Sequence, residues 1–379
     1  MIFIKKLITI LCFSMILALG TSEFIFGSQQ SVKMISSKPA SVQNADIRIS
    51  DCLGREIVLN KPAETFIGLF PSACELLKIL NKENGIIAHD SYTTDAIFFP
   101  GINKLPTINS QGSGNALDYE KIMTLNPDLL IIMKNPAFDP ADAIAKLHPT
   151  IPVAVLETDN VYTIGENIKK LGKLVGRETQ AKRFAVFNDG IRDKILERVK
   201  KVDESLKPTF FFRIAGWTRE QLCTMTDRSM MVKTQMVDAG GRNVSANLAG
   251  VFIQEFDHEW LLTRNYDNLI WMVWEKLYPG YLGYDVKDST HAARLAAEIS
   301  NMDVFAGSRA VKNSKVFLFD ARLSTSPRGI ILMAYMAKWF HPERFEDMDP
   351  RALHQQYLDD FLHVDIDLKK QGVLYYPQL

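Results

Sequence analysis

Short apolar runs alternate with stretches of three- and four-residue periodicity along most of the chain. Ile47-Arg48-Ile49 and Glu56-Ile57-Val58-Leu59 alternate around Asp51-Cys52-Leu53-Gly54-Arg55, the pattern of a hairpin with a glycine turn. Phe66 to Phe70 is a buried strand. Pro71-Ser72-Ala73 then opens a helix over Cys74 to Leu80, with Ser72 as its N-cap. Asp118 to Leu125 is a second helix, closed by Asn126-Pro127. Asp128 to Met133 and Ile151 to Leu156 are two further buried strands. Apolar strands separated by helices predict a parallel sheet covered on both faces.

Apolar positions then recur at helical spacing through Ile164, Ile168, Leu171 and Leu174. After Gly176 they resume through Ala181, Phe184, Phe187, Ile191, Ile195, Val199 and Val202. A helix from Glu178 to Asp203 would be about 39 Å long, which suits a rigid connector in mid-chain. Thr209 to Phe212 reads as the next strand, so that Arg213 would emerge at its end. A helix around Met230 to Ala239 follows.

The N-terminus has another character. Lys5 and Lys6 precede an apolar run from Leu7 to Leu19, too short to span a bilayer comfortably. Ala18 and Gly20 give the small-x-small pattern of a secretory cut after residue 20; an uncleaved anchor is the alternative. Cys12 follows Ile10-Leu11 rather than a small residue, which argues against lipidation there. Residues 21–45, rich in Ser, Gln, Lys and Asn, read as a flexible leader. Export would permit disulfides, but Cys52, Cys74 and Cys223 are too few and too irregular for a framework or a zinc site; they read as three buried thiols, with one bridge and a free thiol as the alternative.

Composition narrows the function. The 379 residues carry 44 basic and 44 acidic side chains, so there is no global basic field to attract nucleic acid. No Ser/His/Asp order, carboxylate pair or metal-spaced histidine pair is present, so no enzyme activity is indicated. Gly112-Ser113-Gly114 lacks the phosphate-loop spacing.

An internal repeat is the most informative feature. Tyr119 to Met133 and His258 to Met272 lie 139 residues apart, and Glu, Thr, Asn, Asp, Leu, Ile and Met match between them. Each copy is a helix, a turn and a buried strand, which predicts two lobes of similar topology.

With that repeat, the chain resembles the periplasmic binding proteins of iron-siderophore, haem and cobalamin ABC importers. The pieces, in order, are Asp51-x-x-Gly54-Arg55; Phe70-Pro71-Ser72-x-x-Glu75-Leu76; Glu120 to Met133; Asp238-x-Gly240-Gly241-x-Asn243-Val244; Glu259 to Met272; Ala310-Val311-Lys312-Asn313-x-x-Val316-Phe317; and Ser326-Pro327-Arg328. The chain departs from the family pattern at Asn265-Tyr266-Asp267, at Trp271 and Trp274, and in the aromatic stretch Tyr278 to Tyr284. The resemblance implies an α/β fold of two lobes with central, mostly parallel sheets, bridged by one long rigid α-helix. The lobes would cover residues 46–160 and 207–379, the second with C-terminal helices, and the connecting helices 161–206.

It also implies an exported, monomeric substrate-binding component that delivers a small-molecule metal chelate to an ABC permease dimer with its ATPase, without chemistry and without a resident cofactor. A ferric siderophore is the first expectation, with haem or a corrinoid as the alternative. A chelatase-like enzyme of related fold is a further reading, opposed by the export signal; a surface receptor of the same fold without a permease is another.

In open α/β sheets, ligands sit beyond the carboxyl ends of the strands. That places Tyr92, Arg213, Trp217, Arg322 and Arg328 at the expected cleft: guanidinium for an anionic ligand, aromatic rings for a flat one. Trp271 is a weaker candidate for stacking, and His89 for axial ligation of iron or cobalt. Glu120 and Glu259, equivalent in the repeat, match the family's permease-docking glutamates; they would also favour their helix N-termini.

Overall fold

The computed structural model describes residues 46–109, 116–134, 138–216, 218–250 and 254–378. The expected signal and leader, the loop Gln111 to Asn115, Asn135 and Trp217 lie outside the described residues. Among the described residues no helix is long and apolar enough to cross a membrane.

The first lobe opens with the expected antiparallel hairpin, β1 (Ile47–Ser50) with β2 (Glu56–Leu59). Asp51 holds its turn by accepting hydrogen bonds from the backbone N–H of Leu53 and Arg55. The strands β3 (Phe66–Leu69), β4 (Ile86–His89), β5 (Leu129–Met133) and β6 (Val153–Leu156) form a fully parallel sheet in the order β4-β3-β5-β6. The helices between them are α1 (Pro71–Ile79), α2 (Tyr119–Leu125) and α3 (Ala141–Leu147).

Helix α1 starts earlier than predicted. Phe70 is its N-cap, at φ 71°, and Pro71 takes the first helical position, where a missing N–H costs nothing. Ser72 is therefore inside the first turn and caps nothing. Its hydroxyl instead shares a 2.6 Å hydrogen bond with that of Thr158.

Two helices follow, α4 (Ile164–Leu174) and α5 (Glu178–Val199), packed against each other. Helix α5 is the predicted connector, ending a turn short of Asp203.

The second lobe is built on β7 (Thr209–Ala215), β8 (Leu222–Thr224), β9 (Arg242–Asn243), β10 (Gln254–Glu255), β11 (Asn268–Val273), β12 (Val316–Asp320) and β13 (Tyr375–Tyr376), with the path β10-β8-β7-β11-β12-β13 and β9 beside β7. Its centre, β7-β11-β12, is parallel; β8 and β13 run antiparallel to it at the flanks, and β10 pairs antiparallel with β8. Its helices are α6 (Met230–Val232), α7 (His258–Leu262), α8 (Thr290–Ser300), α9 (Asp303–Ala306), α10 (Arg309–Lys312), α11 (Gly329–Phe340) and α12 (Pro350–Tyr357). The helix expected to run to Ala239 is α6 widened into a π-helical turn over Lys233–Val237.

Side-chain alternation divides the core. Leu129 and Ile131 of β5, Phe210 and Phe212 of β7, Ile270 of β11 and Phe317 and Phe319 of β12 all point into one continuous cluster with α1, α4, α5 and α11. The opposite faces make two separate clusters. Leu130 and Ile132 pack under α2 and α3, while Leu269, Trp271 and Leu318 pack under α8 and α9. The inner faces of the two sheets thus share a single interior.

Candidate binding cleft

The parallel strands bring their carboxyl ends to one edge of each sheet. In the first lobe that edge is organised by Asp90. Its carboxylate accepts from the N–H of Phe70 at 2.6 Å, and from the N–H and hydroxyl of Thr93 at 2.9 and 2.8 Å. One buried side chain therefore joins the loops after β3 and β4. Burial pushes the Asp90 carboxyl up and these donors pull it back. Tyr92, 51 % exposed, stacks on Phe70 with ring centroids 5.8 Å apart and so offers an aromatic face to solvent. His89 is buried, its Nδ1 donating to the Asp90 carbonyl at 2.6 Å and its Nε2 without a partner among the described residues. Further along the edge, Lys134 pairs with Glu157 at 3.0 Å. Asp159, half-buried, is pushed up to about 6 by burial and then by the Glu157 charge.

On the second lobe, Arg213 differs from expectation. It lies within β7, paired in parallel with Trp271 of β11 on one side and antiparallel with Thr224 of β8 on the other. Its guanidinium is fully buried, stacked 4.2 Å over the Trp271 ring, and donates from Nη2 to the carbonyls of Gln221 and Arg219. Among the described residues Nε and Nη1 are buried without a well-formed hydrogen bond, the Tyr278 hydroxyl lies near the guanidinium, and no carboxylate pairs with it. Burial lowers its pKa.

The turn that covers Arg213 carries Arg219, a residue the sequence reading missed. Arg219 is exposed, 4.7 Å over the Tyr278 ring and 5.7 Å from that of Tyr281, and donates from Nε to the Leu277 carbonyl at 2.6 Å. It too forms no ion pair among the described residues. The aromatic stretch after β11 is therefore a platform for guanidinium groups. Trp271 is fully buried and reaches no solvent.

Arg322 is tied to Asp320 by Nε at 3.0 Å and Nη2 at 2.6 Å, and to Glu275 at 3.3 Å, while keeping part of its surface open. Arg328 turns inward. It donates from Nε and Nη2 to Glu75 of α1 at 3.0 and 2.9 Å and from Nη1 to the Tyr284 hydroxyl at 2.9 Å. Tyr357 donates to the same Glu75 at 2.6 Å. Burial and the Arg328 charge push His354 down to about 3, so its neutral Nε2 accepts from Tyr284 at 2.9 Å. The structure thus leaves Tyr92 and Arg322 open to solvent and encloses Arg213 and Arg328.

Glu120 and Glu259 both stand exposed in the first turns of α2 and α7, each behind an aspartate N-cap, Asp118 and Asp257. The three described cysteines are free thiols. Cys74 and Cys223 are buried, but Cys52 is only half-buried, because it sits on the hairpin turn against Asn167 and the Glu157 N–H. Among the described residues no cluster of His, Cys, Asp and Glu is arranged to hold a metal ion.

Residues 70–323 match the model of the periplasmic binding protein family. An uncharacterized ABC transporter substrate-binding lipoprotein of Bacillus subtilis, YvrC, is 21 % identical over 309 residues, 79 % of this chain and 87 % of that protein. The TroA-like periplasmic binding protein FepB of Veillonella parvula superposes with a TM-score of 0.74 at 22 % identity, covering 87 % of this chain and 99 % of that one. An ABC transporter solute binding protein of Sulfurospirillum deleyianum does so with a TM-score of 0.68 at 18 % identity, covering 85 % and 97 %. The chain belongs to the periplasmic binding protein family.

Proposed function

We propose that this member of the family is the exported substrate-binding component of an ABC importer, and that it captures a ferric siderophore in the cleft between its lobes. The observation that carries the ligand class is the pair Arg213 and Arg219 at the carboxyl edge of the second lobe. Both are stacked on aromatic rings and neither is neutralised by a carboxylate among the described residues. Unpaired guanidinium beside aromatic faces suits an anionic, aromatic chelate, which supplies charge and π-surface together. Arg219, Arg322 and Tyr92 would meet the ligand directly. Arg213 would meet it when the turn over Arg219–Gln221 shifts, and Trp217 is kept as a candidate for stacking on the ligand.

The chain would then deliver its cargo to a permease dimer through Glu120 and Glu259. It works as a monomer and has no catalytic residue in this reading. The chain is not lipidated at Cys12 in this reading, although the Bacillus relative is named a lipoprotein.

Haem or a corrinoid is the second reading, favoured by the exposed Tyr92–Phe70 stack. Titration of the purified chain with a ferric tris-catecholate, haemin and cyanocobalamin, followed by tryptophan quenching, separates the two. Submicromolar binding of the catecholate is expected. A haem Soret shift or cobalamin binding, without response to the catecholate, would replace the first reading with the second.

A further inference from the structure

Among the described residues, few large apolar side chains face solvent, and two of them hold the same place in the internal repeat. Met123 on α2 is 47 % exposed and Leu262 on α7 is 59 % exposed, at the 139-residue offset that relates the two copies. Each lies three residues after an exposed glutamate, Glu120 or Glu259, and positions three apart share a helix face. The correspondence continues around them. Ile122 and Leu261 are buried beneath, and the exposed Thr124 and Thr263 each return their hydroxyl to the helix backbone, at 2.8 and 2.7 Å. Neither glutamate forms an ion pair among the described residues.

A lone exposed apolar side chain needs no explanation. Two in register do. Core positions of a repeat are held alike by packing, since both lobes bury the same helix face. Met123 and Leu262 are on the opposite face, and nothing in either lobe requires an apolar side chain there.

We infer that the outward faces of α2 and α7 are two halves of one docking surface. Each half is a carboxylate flanked by an apolar knob, fitted to a partner that offers two equivalent sockets with a basic group beside an apolar wall. Such a partner is a two-fold symmetric dimer; a single socket would leave one copy of the pattern idle. The inference rests on the permease-docking reading of Glu120 and Glu259 and adds the apolar contact and its duplication. The charges steer the encounter, and the apolar knobs exclude water once contact is made.

The test uses the full chain and the cognate permease–ATPase complex in nanodiscs. The photo-crosslinker p-benzoylphenylalanine is placed at position 123 and, separately, at position 262, and the crosslinked permease peptide is mapped. Both positions should reach the same permease segment. Different segments, or a crosslink from one position alone, overturn the inference. In parallel, Met123→Ser with Leu262→Ser should weaken docking roughly 10-fold, each single change about 3-fold, with ligand affinity unchanged. If Glu120→Ala with Glu259→Ala abolishes docking while the serine pair leaves it intact, the apolar sockets fall and the docking reading stands. If neither pair affects docking, both fall.

Discussion

Thr65 and Asp128 exchange hydrogen bonds in both directions. The Asp128 carboxylate accepts from the Thr65 N–H at 3.0 Å, and the Thr65 hydroxyl accepts from the Asp128 N–H at 2.9 Å. Thr209 and Asp267 do the same in the second lobe, at 2.8 and 3.1 Å. The Asn-x-Asp turn of the repeat is thus a clasp that fixes where β5 enters beside β3 and β11 beside β7. Thr65→Val should cost about 1–3 kcal/mol by leaving the Asp128 N–H unpaired, and Thr209→Val should cost less, because the Asp267 N–H also donates to the Thr209 carbonyl at 3.0 Å. Urea denaturation reads this directly, with the larger loss expected from the first-lobe change.

The Asp128 clasp also has a pH signature. Its donors, acting against desolvation, lower its pKa below the ordinary carboxylate value. A depressed folded-state pKa adds stability above the unfolded value near 4, and that stability is lost as pH falls through the folded one. Asp128→Asn should therefore remove part of the acid sensitivity of unfolding below about pH 4.

Asp159 has the opposite sign. Its folded pKa is raised to about 6, so the unfolded chain ionises first and stability falls as pH rises from about 4 through 6. The group keeps some solvent contact, which reduces the effect to an order of 1–2 kcal/mol. Thermal unfolding between pH 4 and 7 should show this slope in the wild type and lose it in Asp159→Asn.

Ligand charge is tested at Arg219. For an anionic ferric chelate, Arg219→Ala should weaken binding about 10-fold or more, one charge-assisted contact being worth roughly 1.5–3 kcal/mol. Arg219→Lys should recover only part, losing the flat stacking on Tyr278. Tyr92→Ala should matter less. Calorimetry with haemin would show the reverse order if the cleft takes a macrocycle.

Docking is tested separately. Glu120→Ala with Glu259→Ala should abolish uptake into cells and leave ligand affinity unchanged. A loss of affinity in that double variant would place the two glutamates in the cleft or in the fold instead.

Much of this architecture can be read from the chain. The hairpin, the strands of the first lobe, the connector and the duplicated helix–turn–strand unit are all local patterns, and periodicity reports local patterns well. Arg213 shows where this stops. Its position after three phenylalanines marks a strand end only if nothing pairs beyond it. The strand continues because β11 still pairs with it at Arg213 and β8, which follows a turn, runs back alongside as far as Ala215. Arg219 was missed because its aromatic partners lie some 60 residues further on, and only the sheet brings them together. Arg328 was legible as a residue but not as a direction. Its partner Glu75 is 253 residues away, and no spacing rule reaches so far.

That separation has a consequence for how the chain is completed. Glu75 belongs to the first described helix, and its arginine arrives only after all but the last strand of the second sheet has been synthesised. Until then the first lobe holds a carboxylate with nothing to neutralise it, on the face that will become the shared interior. A first lobe expressed alone would carry that unpaired charge permanently. Cutting the pair by Glu75→Ala should cost about 3–5 kcal/mol, and Glu75→Leu with Arg328→Met should recover most of it. The native molecule should unfold in one transition, its two halves melting together, because the inner faces of both sheets close on one shared cluster.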